Sequence, residues 1–247
     1  MRTAIVIPAR FASSRLPGKP LLRATGKYLI QHVYERACLA RADAVLVATD
    51  DARILQAVTS FGGRAVMTRS DHPSGTDRVA EVARGLDADL IVNLQGDEPL
   101  IDPATIDLLP SLLHQDAEAV MATLAVPIMD METWQDPSCV KVVCDRSGRA
   151  LYFSRSLIPH VRDDKPDFRS GAFLQHLGLY AYRRDFLLEL ARLPPEPLEH
   201  LEKLEQLRVL ALGYRIAVGV VAHAGRGVDT PGDYEHFVQA YRNSVAA

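Results

Sequence analysis

Residues 3–22, TAIVIPARFASSRLPGKPLL, begin with an apolar run that ends at Pro8. A loop follows that carries Arg10, Arg15 and Lys19 and no acidic residue. A run apolar at consecutive positions buries both of its faces, as strands do inside a parallel sheet. Open α/β sheets bind ligands beyond the carboxyl ends of their strands, where this loop falls. The chain as a whole has a formal net charge of −3, so three cations in one loop are a local feature. Either they are simply solvated or they hold something with several negative charges.

The same alternation continues outward. Residues 44–50, 64–68 and 89–95 read as further apolar strands, and 28–42, 52–62 and 76–86 as helices, the last pair of glycines in 52–63 closing one of them. Strand–helix alternation of this kind implies βαβ units and a buried parallel sheet. The strand ends then carry PARFASSR (8–15), ATDD (48–51), RSDHPSGTDR (69–78) and QGDEP (95–99), which the topology gathers on one edge.

The second half is less regular. Residues 103–113 read as a helix, 119–128 as a strand, and 140–155 as a hairpin turning at Asp145-Arg146-Ser147-Gly148. Residues 176–184 and 215–222 read as strands. A strong helix is expected over 197–213, with Pro197 near its start and Gly213 after its end, and a last helix follows DTPGD. The expectation is an α/β protein with a nucleotide-binding part at 1–118 and 196–247 and an inserted antiparallel lobe at about 119–195.

With 247 residues, 48% hydrophobic and 24% charged, the chain can bury a substantial core. Its mild acidity excludes a nucleic-acid scaffold, which needs broad positive charge. No run approaches the roughly 18 apolar residues of a membrane span, and no signal peptide is visible. Cys38, Cys139 and Cys144 form no CxxC pair, as expected of reduced thiols in a cytoplasmic protein.

Four segments carry residues suited to chemistry. Gly18-Lys19 is followed by Pro20 and lacks the upstream glycine of a Walker motif. Arg10 and Lys19 suit a phosphate loop of another kind. In SGTDR, Ser74 or Thr76 caps a helix, as a plain cap or as one end of an anion site. Arg69, His72 and Arg78 beside it are polar groups able to read a base or its ribose. In QGDEP, Asp97 and Glu98 form a metal-and-substrate corner, since Mg²⁺ takes one or two carboxylates plus phosphate oxygens. Asp229, just before the last helix, is a second metal carboxylate or an ordinary cap. Arg155, His176, Tyr180, Tyr182, Glu205 and Gln206 read from the residues alone as core or solvated-face positions.

PARFASSRLPGKPL, SGTDR, NLQGDEP, LYFSR, HLGLYAY, LEHLEKLEQLR and GVDTP occur in this order. As an ordered set they resemble the 3-deoxy-manno-octulosonate cytidylyltransferases, the CMP-KDO synthetases, from about residue 3 to 237. The resemblance implies a Rossmann-like, GT-A-like nucleotidyltransferase domain over 1–247, with a mostly parallel central sheet and a dimerisation lobe. It implies transfer of CMP from CTP to the anomeric hydroxyl of KDO with Mg²⁺, by a cytoplasmic homodimer that serves lipopolysaccharide synthesis and binds neither nucleic acid nor membrane. It assigns catalysis to Asp97, Asp229, Lys19 and Arg10, with Asp97 and Asp229 as metal ligands. Nucleotide contacts fall to Ala9, Arg10, Arg15, Lys19, Ser74, Gly75, Thr76, Arg78 and Asp97. Sugar contacts fall to Gln95, Arg155, His176, Tyr180, Glu205 and Gln206. The competing readings are a related acidic acceptor (8-amino-KDO or sialic acid) and a nucleotide-binding regulator without turnover.

Overall fold

The computed structural model describes residues 1–12, 16–162, 165–223, 225 and 227–246. Arg15 lies outside the described residues. Strands and helices alternate as β1 (Thr3–Ala9), α1 (Leu29–Ala37), β2 (Ala44–Thr49), α2 (Ala52–Ser60), β3 (Ala65–Met67), α3 (Gly75–Ala83), β4 (Leu90–Asn93) and α4 (Pro103–Gln115). Then come β5 (Ala119–Pro127), α5 (Met131–Gln135), β6 (Lys141–Cys144), β7 (Ala150–Ser154), β8 (Leu174–Arg183) and α6 (Arg184–Leu190). The order ends with α7 (Pro197–Glu202), α8 (Gln206–Ala211), β9 (Arg215–Val220) and α9 (Pro231–Ala246). The chain divides into two compact units, Met1–Asp107 with Gly225–Ala247, and Leu108–Ala224.

In the first unit β1 pairs in parallel with β2 on one side and β4 on the other, and β2 pairs in parallel with β3. Aspartates at the starts of the two neighbouring strands fix the register of β1. Thr3 donates its backbone N–H to Asp43 at 2.7 Å, and Arg2 donates its own to Asp89 at 2.6 Å. Ile5, Val6 and Ile7 are buried almost completely, as are Leu90, Ile91 and Val92. Removing one such side chain from water contributes about 2 kcal/mol, so exposing either face of β1 would be costly. The helices cover those faces with their apolar stripes; α1 buries Leu29, Ile30, Val33 and Ala37. A second cluster joins Leu16 and Leu29 to Val228, Phe237 and Val238. It ties the basic loop to α9, from the far end of the chain.

In the second unit β5 is antiparallel to β8 and parallel to β9. The β6–β7 hairpin is antiparallel and adds to β8 through β6. Its turn is built as read from the sequence: Asp145 accepts from the backbone of Ser147 and Arg149, and Gly148 has a φ of 75°. The α/β class, the parallel sheet and the hairpin agree with the sequence reading.

The helix expected over 197–213 is a correction. It is two helices, α7 and α8, separated at Lys203, which has a left-handed φ of 55°. Apolar periodicity runs through 198–209 without a glycine or proline, so the sequence carries no break signal. Tertiary contacts impose it. Leu204 is buried, and Arg208 reaches back to Glu199 with a fork whose Nε–H bond is 2.7 Å. Short helices at α5 and α6 were also not anticipated.

A left-handed conformation costs a residue with a Cβ on the order of 1 kcal/mol, and Lys203 is exposed. Lys203→Gly is therefore expected to raise the unfolding free energy by about 1 kcal/mol, read as a higher urea midpoint with an unchanged slope.

Candidate active site

The first unit gathers four loops at the carboxyl end of β1. Gly96 lies so close that a Cβ there would stand 3.1 Å from the carbonyl oxygen of Pro8 and 3.4 Å from Ile30. A side chain there would push the 95–99 loop off the strand end by a few tenths of an ångström. A Cβ on Gly75 would be 3.7 Å from the Pro8 ring, which places the first turn of α3 beside the same residue. Gly18 has a φ of 66° and packs against the ring of Phe11, over which the Arg53 guanidinium lies at 3.4 Å. This left-handed turn starts the 3-10 turn Lys19–Leu21 and fixes where Lys19 emerges.

Lys19 Nζ donates to Asp97 at 2.8 Å and to Asp229 at 3.1 Å. Its side chain is only 14% exposed. Two carboxylates brought to one ammonium would otherwise repel each other by a few kcal/mol at the dielectric of a partly buried site. The backbone holds the corner as well: Val228 donates its N–H to the carbonyl of Asp97 at 2.8 Å. The alternative reading of Asp229 as a helix cap does not hold. Thr230 and Asp233 make that cap reciprocally, with Thr230 N–H donating to Asp233 at 2.9 Å and Asp233 N–H to the Thr230 hydroxyl at 3.2 Å. The Asp229 carboxylate meets Lys19.

Glu98 completes the corner. Its carboxyl is pushed up to about 7, by burial first and then by the charges of Asp97 and Asp229. Ala9 is buried at the end of β1 and Arg10 is exposed just past it. Ser74 caps α3, accepting from Asp77 N–H at 3.2 Å, and Gly75 and Thr76 form the first turn, where the helix dipole is positive. Gln95 is half-buried beside Gly96. Arg78 follows on the first turns of α3. It is buried, donates to Asp50 at 2.8 Å and also binds the Thr68 hydroxyl. Its guanidinium joins the ends of β2 and β3.

In the second unit, Arg155 bonds to the end of α7, while His176, Tyr180 and Gln206 form a second set of contacts. Arg155 donates through Nε to the Glu202 carbonyl at 2.9 Å and through a terminal nitrogen to the Pro137 carbonyl at 3.0 Å. The Glu202 carboxylate accepts from Ser154 and from the Arg155 N–H, pinning the end of β7 to the end of α7. The left-handed Lys203 follows, then Glu205, and Gln206 faces Tyr180 at 3.4 Å from its hydroxyl. Burial, with the Glu205 charge adding to it, raises the Tyr180 phenol. His176 is buried and pairs with Thr123; burial holds its pKa down at about 3.

Sequence reading did not single out Lys141, Thr123 or Glu202. Lys141 is fully buried, and its ammonium donates to the carbonyls of Asp136, Cys139 and Arg155 at 2.9, 2.6 and 2.8 Å. Three charge-assisted bonds satisfy every proton it has. Lys141 and Thr123 did leave a signal, as polar residues inside the apolar runs VKVVC and AVMATLAV.

Cations and carboxylates converging at the strand ends of a parallel sheet, beside a helix N-terminus, define a nucleotide-handling transferase of the α/β class. Comparison with known proteins narrows this. The cytidylyltransferase family model matches residues 4–216. The chain belongs to this family, and within it to the 3-deoxy-manno-octulosonate cytidylyltransferases. It is 53% identical over 239 residues to the enzyme of that name from Syntrophotalea carbinolica, covering 94% of this chain and 96% of the other. The corresponding enzyme of Syntrophobacter fumaroxidans is 54% identical over 242 residues, with 96% of each chain covered. A solved structure of CMP:2-keto-3-deoxy-manno-octonic acid synthetase complexed with CTP superimposes with a TM-score of 0.92. It is 47% identical and covers 99% of this chain and 100% of its own.

The raised Glu98 carboxyl gives a pH prediction. A carboxyl whose folded pKa lies above its unfolded value favours the fold while protonated, and that contribution is lost as pH rises through the folded pKa. Without divalent cations, the wild type is expected to lose stability relative to Glu98→Gln between about pH 4.5 and 7. The difference is on the order of 2–3 kcal/mol, measured by urea unfolding across that range. Parallel pH profiles for the two proteins would refute it.

Proposed function

We propose that this protein transfers CMP from CTP to the anomeric hydroxyl of 3-deoxy-manno-octulosonate, giving CMP-KDO and pyrophosphate. The observation that carries the reading is the corner where Lys19 meets Asp97 and Asp229, in a chain closely similar to a synthetase solved with CTP. The anomeric oxygen attacks the α-phosphorus of CTP, and the bond from that phosphorus to the departing pyrophosphate breaks. Both reactants are anionic, so cations must offset charge as they approach and as pyrophosphate leaves. Arg10 and Lys19 serve this purpose on the triphosphate. Arg15 is assigned to the same loop on the strength of its sequence position. Ser74, Gly75 and Thr76 at the α3 N-terminus, with Ala9, border the nucleotide. Arg155, His176, Tyr180, Glu205 and Gln206 bind the sugar, with Gln95 contributing from the loop before Asp97.

Asp97 and Asp229 would hold Mg²⁺. The donor set fits, since two carboxylates converge at the Lys19 ammonium and the neighbouring Glu98 carboxyl is raised, by burial first and then by their charge. Mg²⁺ favours one or two carboxylates together with substrate phosphate oxygens. When bound, it supplies charge neutralisation at the phosphate and lowers the pKa of a coordinated hydroxyl.

The reading includes a homodimer in the cytoplasm, feeding lipopolysaccharide synthesis. Supporting the dimer are exposed apolar side chains in the Leu108–Ala224 unit, among them Leu151 at 61% and Leu201 at 79%. Among the described residues, no helix is long and apolar enough to cross a membrane.

The test is pyrophosphate release with each of the four nucleoside triphosphates and Mg²⁺, against KDO, 8-amino-KDO and sialic acid. Release with CTP and KDO alone is expected. Release only with another acid would move the error to the acceptor residues, and CTP binding without release would favour a regulatory protein. Asp97→Asn is expected to lower kcat by at least about 100-fold with an unchanged circular dichroism melt. Near-wild-type turnover would remove Asp97 from the mechanism.

A further inference from the structure

The pairing of Thr123 with His176 fixes which hydrogens the acceptor site offers. The β5–β8 register slips between Thr123 and Leu124, so that Thr123 lies opposite Tyr180 and Leu124 opposite Leu177. The slip brings the Thr123 hydroxyl to 2.8 Å from the Leu179 carbonyl, 3.1 Å from the Leu177 carbonyl and 2.9 Å from His176 Nε2. A hydroxyl has one hydrogen to give and two lone pairs that accept. Both carbonyls can only accept. Were the hydroxyl hydrogen given to His176, two carbonyl oxygens would face the threonine oxygen with no hydrogen between them. The hydrogen therefore serves the carbonyls, and His176 must be the donor, protonated at Nε2.

The rest of the ring's surroundings agree. Phe153 meets it edge-on with centroids 4.9 Å apart, and Tyr180 lies tilted at 5.5 Å, so the ring plane is held by packing. Burial keeps the imidazole neutral, with a pKa of about 3. A neutral ring protonated at Nε2 carries its lone pair at Nδ1 and can only accept there.

We propose that Thr123 is a positioning residue that locks His176 in the neutral Nε2–H form, so that Nδ1 accepts a hydrogen bond from a hydroxyl of the sugar and does not pair with its carboxylate. This rests on the acceptor-binding reading given above. It gives His176 one task in recognition, the reading of a hydroxyl. Thr123 acts only through the ring.

The experiment has two readouts. In ¹⁵N-histidine-labelled wild-type protein at pH 7, long-range proton–nitrogen correlation should show a pyrrole-type Nε2 and a pyridine-type Nδ1 for His176, identified by their loss in His176→Asn. In steady-state assays with CTP, Thr123→Val should raise the KM for the sugar about tenfold, the effect of one lost hydrogen bond. It should leave kcat and the KM for CTP within about twofold, and Thr123→Ser, which keeps the hydroxyl, should restore the sugar KM. An Nδ1–H tautomer or an imidazolium in the wild type overturns the proposal, as does a folded Thr123→Val with an unchanged sugar KM. If Thr123→Val does not fold, the wild-type spectrum and Thr123→Ser decide. Failure of the functional reading looks different: wild-type protein would then release no pyrophosphate with KDO, while the spectrum would still report the tautomer.

Discussion

A strand hydrogen-bonded on both edges and covered on both faces can release its chain only at its end. That constraint on β1 organises the first unit. Asp43 and Asp89 lock its start against the two neighbouring strands, and apolar burial prevents it from turning away before Ala9. Residues 10–12 and 16–19 are thereby delivered to the carboxyl edge of the sheet. Gly96 has no side chain to hold the 95–99 loop off Pro8, and Gly75 brings the first turn of α3 beside the same residue. Lys19 is then close enough to neutralise Asp97 and Asp229, which lie 78 and 210 residues away in the chain.

The second unit solves a different problem with the same economy of charge. A fully buried ammonium, Lys141, gathers three carbonyls, and a carboxylate, Glu202, gathers a hydroxyl and a backbone N–H. Neither is paired with an opposite charge at close range in these bonds; each is satisfied by dipoles. Desolvation is costly unless every proton and lone pair is met, so such a network holds one arrangement and resists others. Its effect is to fix Arg155 and the left-handed step at Lys203, from which Glu205 and Gln206 approach Tyr180. The irregular β5–β8 step does the same for His176 by presenting Thr123.

The sites differ in how legible they were. Asp97 and Glu98 stand at a predicted strand end and Lys19 in a loop after another, so a reading of strands and their ends finds them. Asp229 was ambiguous, because a carboxylate ahead of a helix usually caps it. The neighbouring Thr230–Asp233 pair, also visible in the sequence, was the information needed to decide. Arg78 takes its partners Asp50 and Thr68 from two other strand ends, and no local pattern announces that pairing. The break at Lys203 left no trace, since a left-handed lysine violates propensity and is held by contacts from Arg208 and Leu204.

What the sequence determined by itself is the alternation of buried strands and amphipathic helices, and with it the parallel sheet and the edge that carries the chemistry. Periodicity and the chemistry of turn residues act over a few positions, so one chain suffices to read them. The tertiary structure alone decided which charges meet, where a regular helix must break, and which hydroxyl a buried histidine faces. Those outcomes depend on partners tens to hundreds of residues away, and on whether burial leaves each polar group a hydrogen-bond partner.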